Sequence, residues 1–309
     1  MVERLIVTGA LGHIGSALIR DPQLVDFFDE ILMVDNLSTQ RFPSLFNLPI
    51  GTNYRLLQGD VGDMLSAKLA STASAVVHLA AATDPTASSM DPAKLFENNL
   101  RITKHVVRVC EQTETPLTFV STTSVYSSHL ELVNEDCTDL SPVSPYAQCK
   151  LEEEQIVLQA LGVGGCAVFR LGTIFGISPG MRFHTAVNKF CWQAVCGSPI
   201  EVWATAMDQV RPYLSVGDAV ALLSRTSRDS IYPGEVINAV SCDATVRDVL
   251  KAIELNGLSV TVHLVDSPIM NELSFRTSIN RATGMGFMFN GEIQRGVRET
   301  LQLLNNLWP

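Results

Sequence analysis

Short apolar runs rich in β-branched residues alternate, from residue 1 to about 175, with longer segments whose apolar side chains recur at helical spacing. Continuous or period-two apolar runs mark strands, and a stripe at every third or fourth position marks a helix packed on one side. Strands are expected at Leu5-Ile6-Val7 and over 30–34, 54–58, 75–77, 117–120 and 165–169. Helices are expected over 92–113, where Leu95, Phe96, Leu100, Val106 and Val107 form the stripe, and over 144–161. Such alternation builds a parallel sheet covered on both faces, so the fold class is α/β with a doubly wound parallel sheet. After Gly176 the pattern becomes irregular. Pro179-Gly180 reads as a turn, 184–196 as a helix and 200–203 as a short strand; another helix starts at Val216, before a strand over 235–238.

Composition narrows the partners. The chain has 309 residues, 46% hydrophobic and 17% charged, which is enough for a large core. Its formal charge of -10 argues against nucleic acid, whose phosphates need clustered Lys and Arg. No apolar run approaches the ~20 residues of a membrane helix, and the first strand begins almost at Met1, leaving no room for a signal peptide. The expectation is a cytoplasmic protein with a small-molecule partner, and with neither nucleic acid nor membrane. Its seven cysteines (110, 137, 149, 166, 191, 196 and 242) are scattered and include no C-x-x-C pair, so neither a disulfide framework nor a zinc site is expected.

The exit of the first strand carries the first chemistry. Gly9, Gly12 and Gly15 stand between Leu5-Ile6-Val7 and the apolar Ala17-Leu18-Ile19, reading as strand, tight turn and helix. Glycines there let backbone amides approach a pyrophosphate at the helix N-terminus, the device of a Rossmann-type dinucleotide site. The spacing is G-x-x-G-x-x-G, not the commoner G-x-G-x-x-G. Twenty residues beyond Gly15, Asp35 closes the second strand, where a carboxylate accepts from ribose hydroxyls and repels a 2′-phosphate. This favours NAD over NADP, with Arg41 as the counter-argument. The third strand runs into Gly59-Asp60-Val61, a place for an adenine contact.

Tyr146 and Lys150 are four residues apart and share a helix face, about 24 residues beyond Ser121-Thr122-Thr123-Ser124-Val125-Tyr126 at the end of an apolar run. A phenol titrates near pH ~10, so service as a base near neutrality needs its pKa lowered by about three units, roughly 4 kcal/mol. Lys150 is one cation able to act so, and an oxidised nicotinamide ring is another.

Taken together, Gly9, Gly12, Gly15, Asp35, Asp60, Thr122, Tyr146 and Lys150 resemble the extended short-chain dehydrogenase/reductases that modify nucleotide sugars, closest to UDP-glucose 4-epimerase-like members. His78-Leu79-Ala80-Ala81, Asn98-Asn99, the segment 170–176 and Arg211-Pro212-Tyr213-Leu214-Ser215-Val216-Gly217-Asp218 extend the resemblance over nearly the whole chain. It implies a Rossmann domain over 1–175, with 211–239 returning to it, and a smaller, discontinuous α/β substrate lobe over 176–210 and 240–309. NAD contacts fall at Gly9, Gly12, His13, Ile14, Gly15, Asp35, Asn36, Asp60, Val61, Leu79, Ala80, Ala81, Asn99, Tyr146 and Lys150. The catalytic set is Thr122, Tyr146 and Lys150. Contacts to a nucleotide-diphosphate sugar fall at Thr83, Thr122, Thr123, Ser124, Tyr146, Thr173, His184, Asn188, Trp203 and Arg211. Arg211 offers paired donors to phosphate. His13 is read as filling the turn and His78 as packing at the fourth strand, with no metal partner for either. Members of this group dimerise through two helices, here about 98–113 and 146–161, so a homodimer is expected.

Two departures leave base and sugar recognition open. Pro212 replaces the usual acidic residue after the arginine, and Ala204-Thr205-Ala206-Met207-Asp208 replaces a Gly-rich turn. The positions after Thr122 choose among reactions. The family's 4,6-dehydratases carry Asp then Glu there, whereas this chain has Thr123 and Ser124, and a hydroxyl is a poor acid beside a carboxyl of pKa ~4. Decarboxylation, which uses a nearby glutamate, and 3,5-epimerisation, which uses a cysteine at the place of Ser124, are disfavoured as well. C4 epimerisation through a transient 4-keto sugar is the expectation. A 4-ketosugar reductase and a catalytically silent NAD(H)-binding regulator are the alternatives.

Overall fold

The computed structural model describes residues 2–83, 91–127, 130–266 and 274–304. Its strands in chain order are β1 (Arg4–Thr8), β2 (Glu30–Asp35), β3 (Asn53–Gln58), β4 (Ala75–His78), β5 (Leu117–Thr122), β6 (Leu132–Val133), β7 (Cys166–Leu171), β8 (Thr173–Phe175), β9 (Ile200–Trp203), β10 (Arg211–Ser215), β11 (Val236–Ala239), β12 (Cys242–Ala244), β13 (Val262–Val265) and β14 (Arg276–Thr277). Seven of them form the central sheet in the order β11-β7-β5-β4-β1-β2-β3. Every neighbouring pair is parallel. Parallel neighbours need crossover connections, which put helices on both faces.

Period-two alternation divides the strand residues between two cores. Leu5, Val7, Ile31 and Met33 face Leu18, Ile19 and the Ala219, Leu222 and Leu223 side chains of helix Val216–Arg228. Ile6, Leu32, Val34 and Val76 face Ile102, Val106, Val107 and Cys110 of helix Pro92–Thr113, together with Val157 of helix Pro145–Leu161. The order of strands reverses between β1 and β4, and the carboxyl ends on either side of that switch are where an open α/β sheet binds its ligand.

Both long helices start where capping chemistry dictates. Asp91 accepts from Lys94 N at 3.0 Å and Ser144 from Ala147 N at 3.2 Å, each followed by proline at the first helical position. The second start places Tyr146 in the first turn and Lys150 one turn on.

Beyond β7 the chain builds a second body. β12-β10-β8 make a three-stranded sheet and β13-β9 a two-stranded one, around a core of Val187, Phe190, Ile200, Tyr213, Val249, Ile253, Val297 and Leu301. Val236–Ala239 lies at the edge of the main sheet beside β7, but Arg211–Ser215, expected to return there, pairs instead with β8 and β12. The divergence begins at Gly172, between β7 and β8, where a Cβ would stand 3.0 Å from the Pro212 carbonyl. A side chain there would crowd the β10 backbone, so glycine eases the approach of β8 to β10 at that bend. Among the described residues no helix is long and apolar enough to cross a membrane. Residues 267–273 and 305–309 of the expected substrate lobe lie outside the described residues.

Candidate active site

The glycine turn is shaped by close backbone approach. Gly9 has φ +66°, and a Cβ there would lie 2.6 Å from Ala80 N; a Cβ on Gly15 would lie 2.5 Å from the Gly9 carbonyl oxygen. The helix after the turn, His13–Leu18, has Gly12 at its N-cap with no side-chain cap bond. Its first amides are therefore not taken by a side chain of the cap. Asp35 receives Leu11 N at 3.0 Å on one oxygen and Leu37 N at 2.8 Å on the other, which fixes the carboxylate at the end of β2. Asn36 accepts from Ser38 N at 3.0 Å and shapes the same loop. Leu79 N donates to Thr8 O at 3.0 Å and Ala80 N to Thr8 Oγ1 at 3.3 Å, so the β4 exit is tied to the β1 exit.

Two expected cofactor contacts serve local structure first. The Asn99 amide brackets Ala82, accepting from its N at 2.8 Å and donating to its O at 3.0 Å, and so holds the 79–83 segment. Asp60 caps Gly62 N at 2.8 Å and receives both Arg101 nitrogens, at 3.0 and 2.8 Å; the Arg101 bonds hold its carboxyl below the usual range. Val61 follows it at the start of the next short helix.

The segment after β8 lies directly on the glycine turn. A Cβ on Gly180 would stand 2.3 Å from the Leu11 carbonyl oxygen. Ser178 Oγ donates to His13 O at 2.8 Å, Gly180 N to Ser16 Oγ at 2.9 Å, and Arg41 Nη1 to Gly180 O at 2.9 Å. Arg41, the sequence argument for NADP, thus reaches into this packing. Burial, then the neighbouring Arg182, pushes its pKa down to about 10, which leaves it cationic near neutrality. His13 is buried and its pKa is lowered to about 4, mainly by desolvation. It is neutral near pH 7, and its Nε2–H donates to Gly176 O at 2.9 Å.

Tyr146 is partly exposed, and Lys150 is 4% exposed. Burial raises the phenol pKa; Lys150 and then Arg182 pull it down, while Glu153 and Cys149 push it up. The net direction is upward. Lys150 alone therefore does not make Tyr146 a ready base: burial opposes it first, and Glu153, whose Oε2 lies 3.1 Å from the ammonium, opposes it next. Lys150 also sits over the Phe119 ring, 4.6 Å from its centroid.

At the end of β5 the hydroxyls divide. Thr122 Oγ1 accepts from Ser124 N at 3.1 Å, an arrangement that leaves its own proton available to donate. Thr123, expected to touch substrate, is buried and donates to Leu171 O at 3.3 Å; it anchors β5 to β7 instead. Ser121 donates to Glu154, which also receives Arg170 Nε at 2.9 Å and Nη2 at 2.7 Å. Asn188 was expected at phosphates, but it is fully buried and binds Gly176 N and the Arg182 carbonyl, the latter at 3.1 Å. Its amide braces the 176–182 segment, which a long polar side chain on the inner face of helix Ala186–Val195 must do to be satisfied.

Thr173 pairs with Tyr213 across β8 and β10, two residues from Arg211, whose Nη2 donates to Gln209 Oε1 at 2.9 Å. Trp203 is 38% exposed at the end of β9. His184 is partly exposed and close enough to His13 to lower its pKa. Arg182 was missed by sequence reasoning: its guanidinium donates to Thr83 Oγ1 and its charge reaches Tyr146, His13 and Arg41. Its only signal was its position two residues after Pro179-Gly180. Among the described residues no group of three His, Cys, Asp or Glu could hold a metal ion.

Residues 5–239 match the NAD dependent epimerase/dehydratase family. The chain belongs to this family. It is 27% identical over 280 residues to YtcB, an uncharacterized UDP-glucose epimerase of Bacillus subtilis (strain 168), with 85% of each chain covered. Its fold is similar to that of the UDP-glucuronic acid 4-epimerase from Bacillus cereus, solved with UDP-glucuronic acid and NAD, at TM-score 0.88, 21% identity and coverage of 99% and 100%. It is also similar to DesIV, a dTDP-glucose 4,6-dehydratase from Streptomyces venezuelae solved with NAD and TYD, at TM-score 0.82, 19% identity and coverage of 99% and 98%. Epimerase and dehydratase thus share this fold, and the reaction must be argued from side chains.

As a family member the chain is an NAD-dependent enzyme of the extended short-chain dehydrogenase/reductase type. Its residues fit that cofactor: a turn that carries no side chain at Gly9, Gly12 and Gly15, a fixed carboxylate at Asp35, and cationic Lys150 beside Tyr146.

Proposed function

We propose that this enzyme is a nucleotide-sugar 4-epimerase in which Thr122, Tyr146 and Lys150 form the catalytic set. The observation that carries the reading is the end of β5. Thr122 keeps a proton to donate, Thr123 is turned into the sheet, Ser124 follows in a short turn, and the whole stretch 121–127 contains no carboxyl group. Elimination of water across a sugar needs an acid of carboxyl strength there; a reversible oxidation does not.

When bound, NAD supplies the acceptor and donor of hydride. Tyr146 takes the proton of the sugar 4-hydroxyl as the 4-ketone forms and gives it back to the ketone after the sugar has turned over. Thr122 donates to the sugar oxygen and fixes its distance from the phenol. Lys150 would hold the nicotinamide ribose, and its charge opposes the burial and the Glu153 charge that keep Tyr146 protonated. Arg211 and Arg182 supply guanidinium donors for the diphosphate-sugar portion, and Thr83, Ser124, Thr173, His184 and Trp203 border the substrate.

A panel of UDP-, GDP-, CDP- and dTDP-sugars tests this. C4 epimers of at least one nucleotide sugar should interconvert with no net change in NADH. Net NADH consumption would instead make the enzyme a ketosugar reductase, and no turnover of any member would contradict the epimerase reading. UDP-sugars are the first to try, given the names of its relatives.

The same proposal includes a homodimer through the helices about 98–113 and 146–161. Exposed Lys104 and Arg108 on the first and Glu152 on the second favour pairing by opposite charge. Sedimentation at the mass of one chain at low salt would remove it.

A further inference from the structure

Glu153 touches neither cofactor nor sugar in the chemistry described so far, yet it lies 3.1 Å from the Lys150 ammonium and is 1% exposed. Its other oxygen receives the Thr103 hydroxyl from helix Pro92–Thr113. Thr103 Oγ1 in turn lies 3.4 Å from His78 Nε2, and His78 Nδ1 lies 2.6 Å from Thr8 Oγ1. Because Thr103 gives its proton to the carboxylate, the pattern assigns the His78 proton to Nε2, and Thr8 donates to Nδ1. Every donor from Thr8 through His78 and Thr103 therefore points toward Glu153. His78 remains neutral, its pKa lowered to about 3 by burial and then by Lys150. Thr8, His78, Thr103, Glu153 and Lys150 are all buried, so the string ends inside the sheet at the residue before Gly9 and offers a proton no exit to water. Its effect is electrostatic: an oriented set of dipoles terminating on one carboxylate, where solvent screens little.

We propose that Glu153 is a positioning residue of the active site, whose buried carboxylate anchors Lys150 and offsets the ammonium's charge at Tyr146. The catalytic unit is then a cluster of three groups, in which burial and then Glu153 oppose the pull of Lys150 on the phenol proton. The charged and titratable groups facing this cluster are Cys149 on the same helix, His78 from β4 and Arg182 from the segment after β8; Glu152 lies on the exposed side of the helix and acts on Cys149. Of these, Arg182 acts with Lys150 to favour the phenolate, and Cys149 acts with Glu153 against it. Removal of the buried negative charge favours loss of a proton from the Tyr146–Lys150 pair, whichever member releases it.

For its catalytic meaning the proposal rests on the epimerase reading, but its test needs no substrate. Ultraviolet titration of tyrosinate in NAD-free protein, taken as the difference from the corresponding Tyr146→Phe variant, reports Tyr146 alone. Glu153→Gln should form the Tyr146 phenolate at lower pH than the parent. Glu153→Asp, which keeps the charge but withdraws it by one methylene, should fall between them, and it keeps the test open if the glutamine variant does not fold. With a substrate in hand, the acid limb of the rate profile should move to lower pH in the same order. Coincident curves, or a shift upward, would overturn the proposal. So would loss of stability with an unmoved titration, the behaviour of a purely structural ion pair. Failure of the sugar panel would leave the titration result standing, and the reverse holds too.

Discussion

Tyr146→Phe is expected to reduce turnover by about two to four orders of magnitude, the usual cost of losing a general acid–base group, while the protein keeps its fold and its NAD. The substitution deletes one oxygen from the first turn of helix Pro145–Leu161 and retains the ring. Lys150 is not stranded, because Glu153 remains 3.1 Å away. The glycine turn and Asp35, which lie at the exits of β1 and β2, are untouched. Activity and bound NAD should therefore separate cleanly when both are measured on the same preparation. A rate within tenfold of the parent would remove Tyr146 from the catalytic set.

Glu154→Ala is expected to destabilise the fold by about 3–5 kcal/mol, the range for breaking a buried ion pair from one side. Glu154 is 2% exposed and Arg170 3%, joined by bonds of 2.9 and 2.7 Å, with Ser121 as a third donor. Removal of the carboxylate leaves a guanidinium in the core beside the Tyr126 ring, 4.8 Å from its centroid. For a domain of this size the melting temperature should fall by roughly 10 °C. Replacing both partners with apolar residues, as in Glu154→Leu with Arg170→Met, should recover much of that loss, since the desolvation cost disappears with the charges. Glu154, Ser121 and Arg170 join the 145–161 helix to β5 and β7, so this pair also holds Tyr146 and Thr122 on a common frame. A single-variant loss below about 1 kcal/mol would show that the pair is not sealed from solvent.

The contrast between Glu153, Glu154 and their neighbour Glu152 explains what sequence reading reached and what it missed. The sheet was legible because its central strands are buried on both faces and read as continuous apolar runs; Leu5-Ile6-Val7 and 75–77 have no other reading. The glycine turn was legible because close backbone approach at Gly9 and Gly15 excludes every side chain. Helix Pro145–Leu161 is different. Its inner face carries Lys150, Glu153 and Glu154 beside Ala147, Cys149 and Val157, so apolar periodicity is lost where the site is built. Glu152, Glu153 and Glu154 are alike in type, yet only Glu152 is exposed. Spacing from Cys149 and Lys150 to Glu153 and Glu154 was the available signal, since residues three and four apart share a face.

Long-range contacts were equally invisible. Thr123 and Asn188 carry side chains suited to a ligand, but the polar groups that satisfy them, Leu171 O for one and Gly176 and Arg182 for the other, come from other segments. Arg211–Ser215 was expected with the main sheet; its pairing with β8, next to the bend at Gly172, joins segments some forty residues apart.

The fate of a deuterium at C4 of the nucleotide sugar tests the central claim most directly. A 4-epimerase reduces the ketone formed under Tyr146 again at the same carbon. The C4 epimer recovered from an incubation with the purified enzyme should therefore carry the label at C4, with no deuterium lost to water and no water eliminated. Label found at C6 of a dehydrated product, or transferred to free NADH that accumulates, would contradict it.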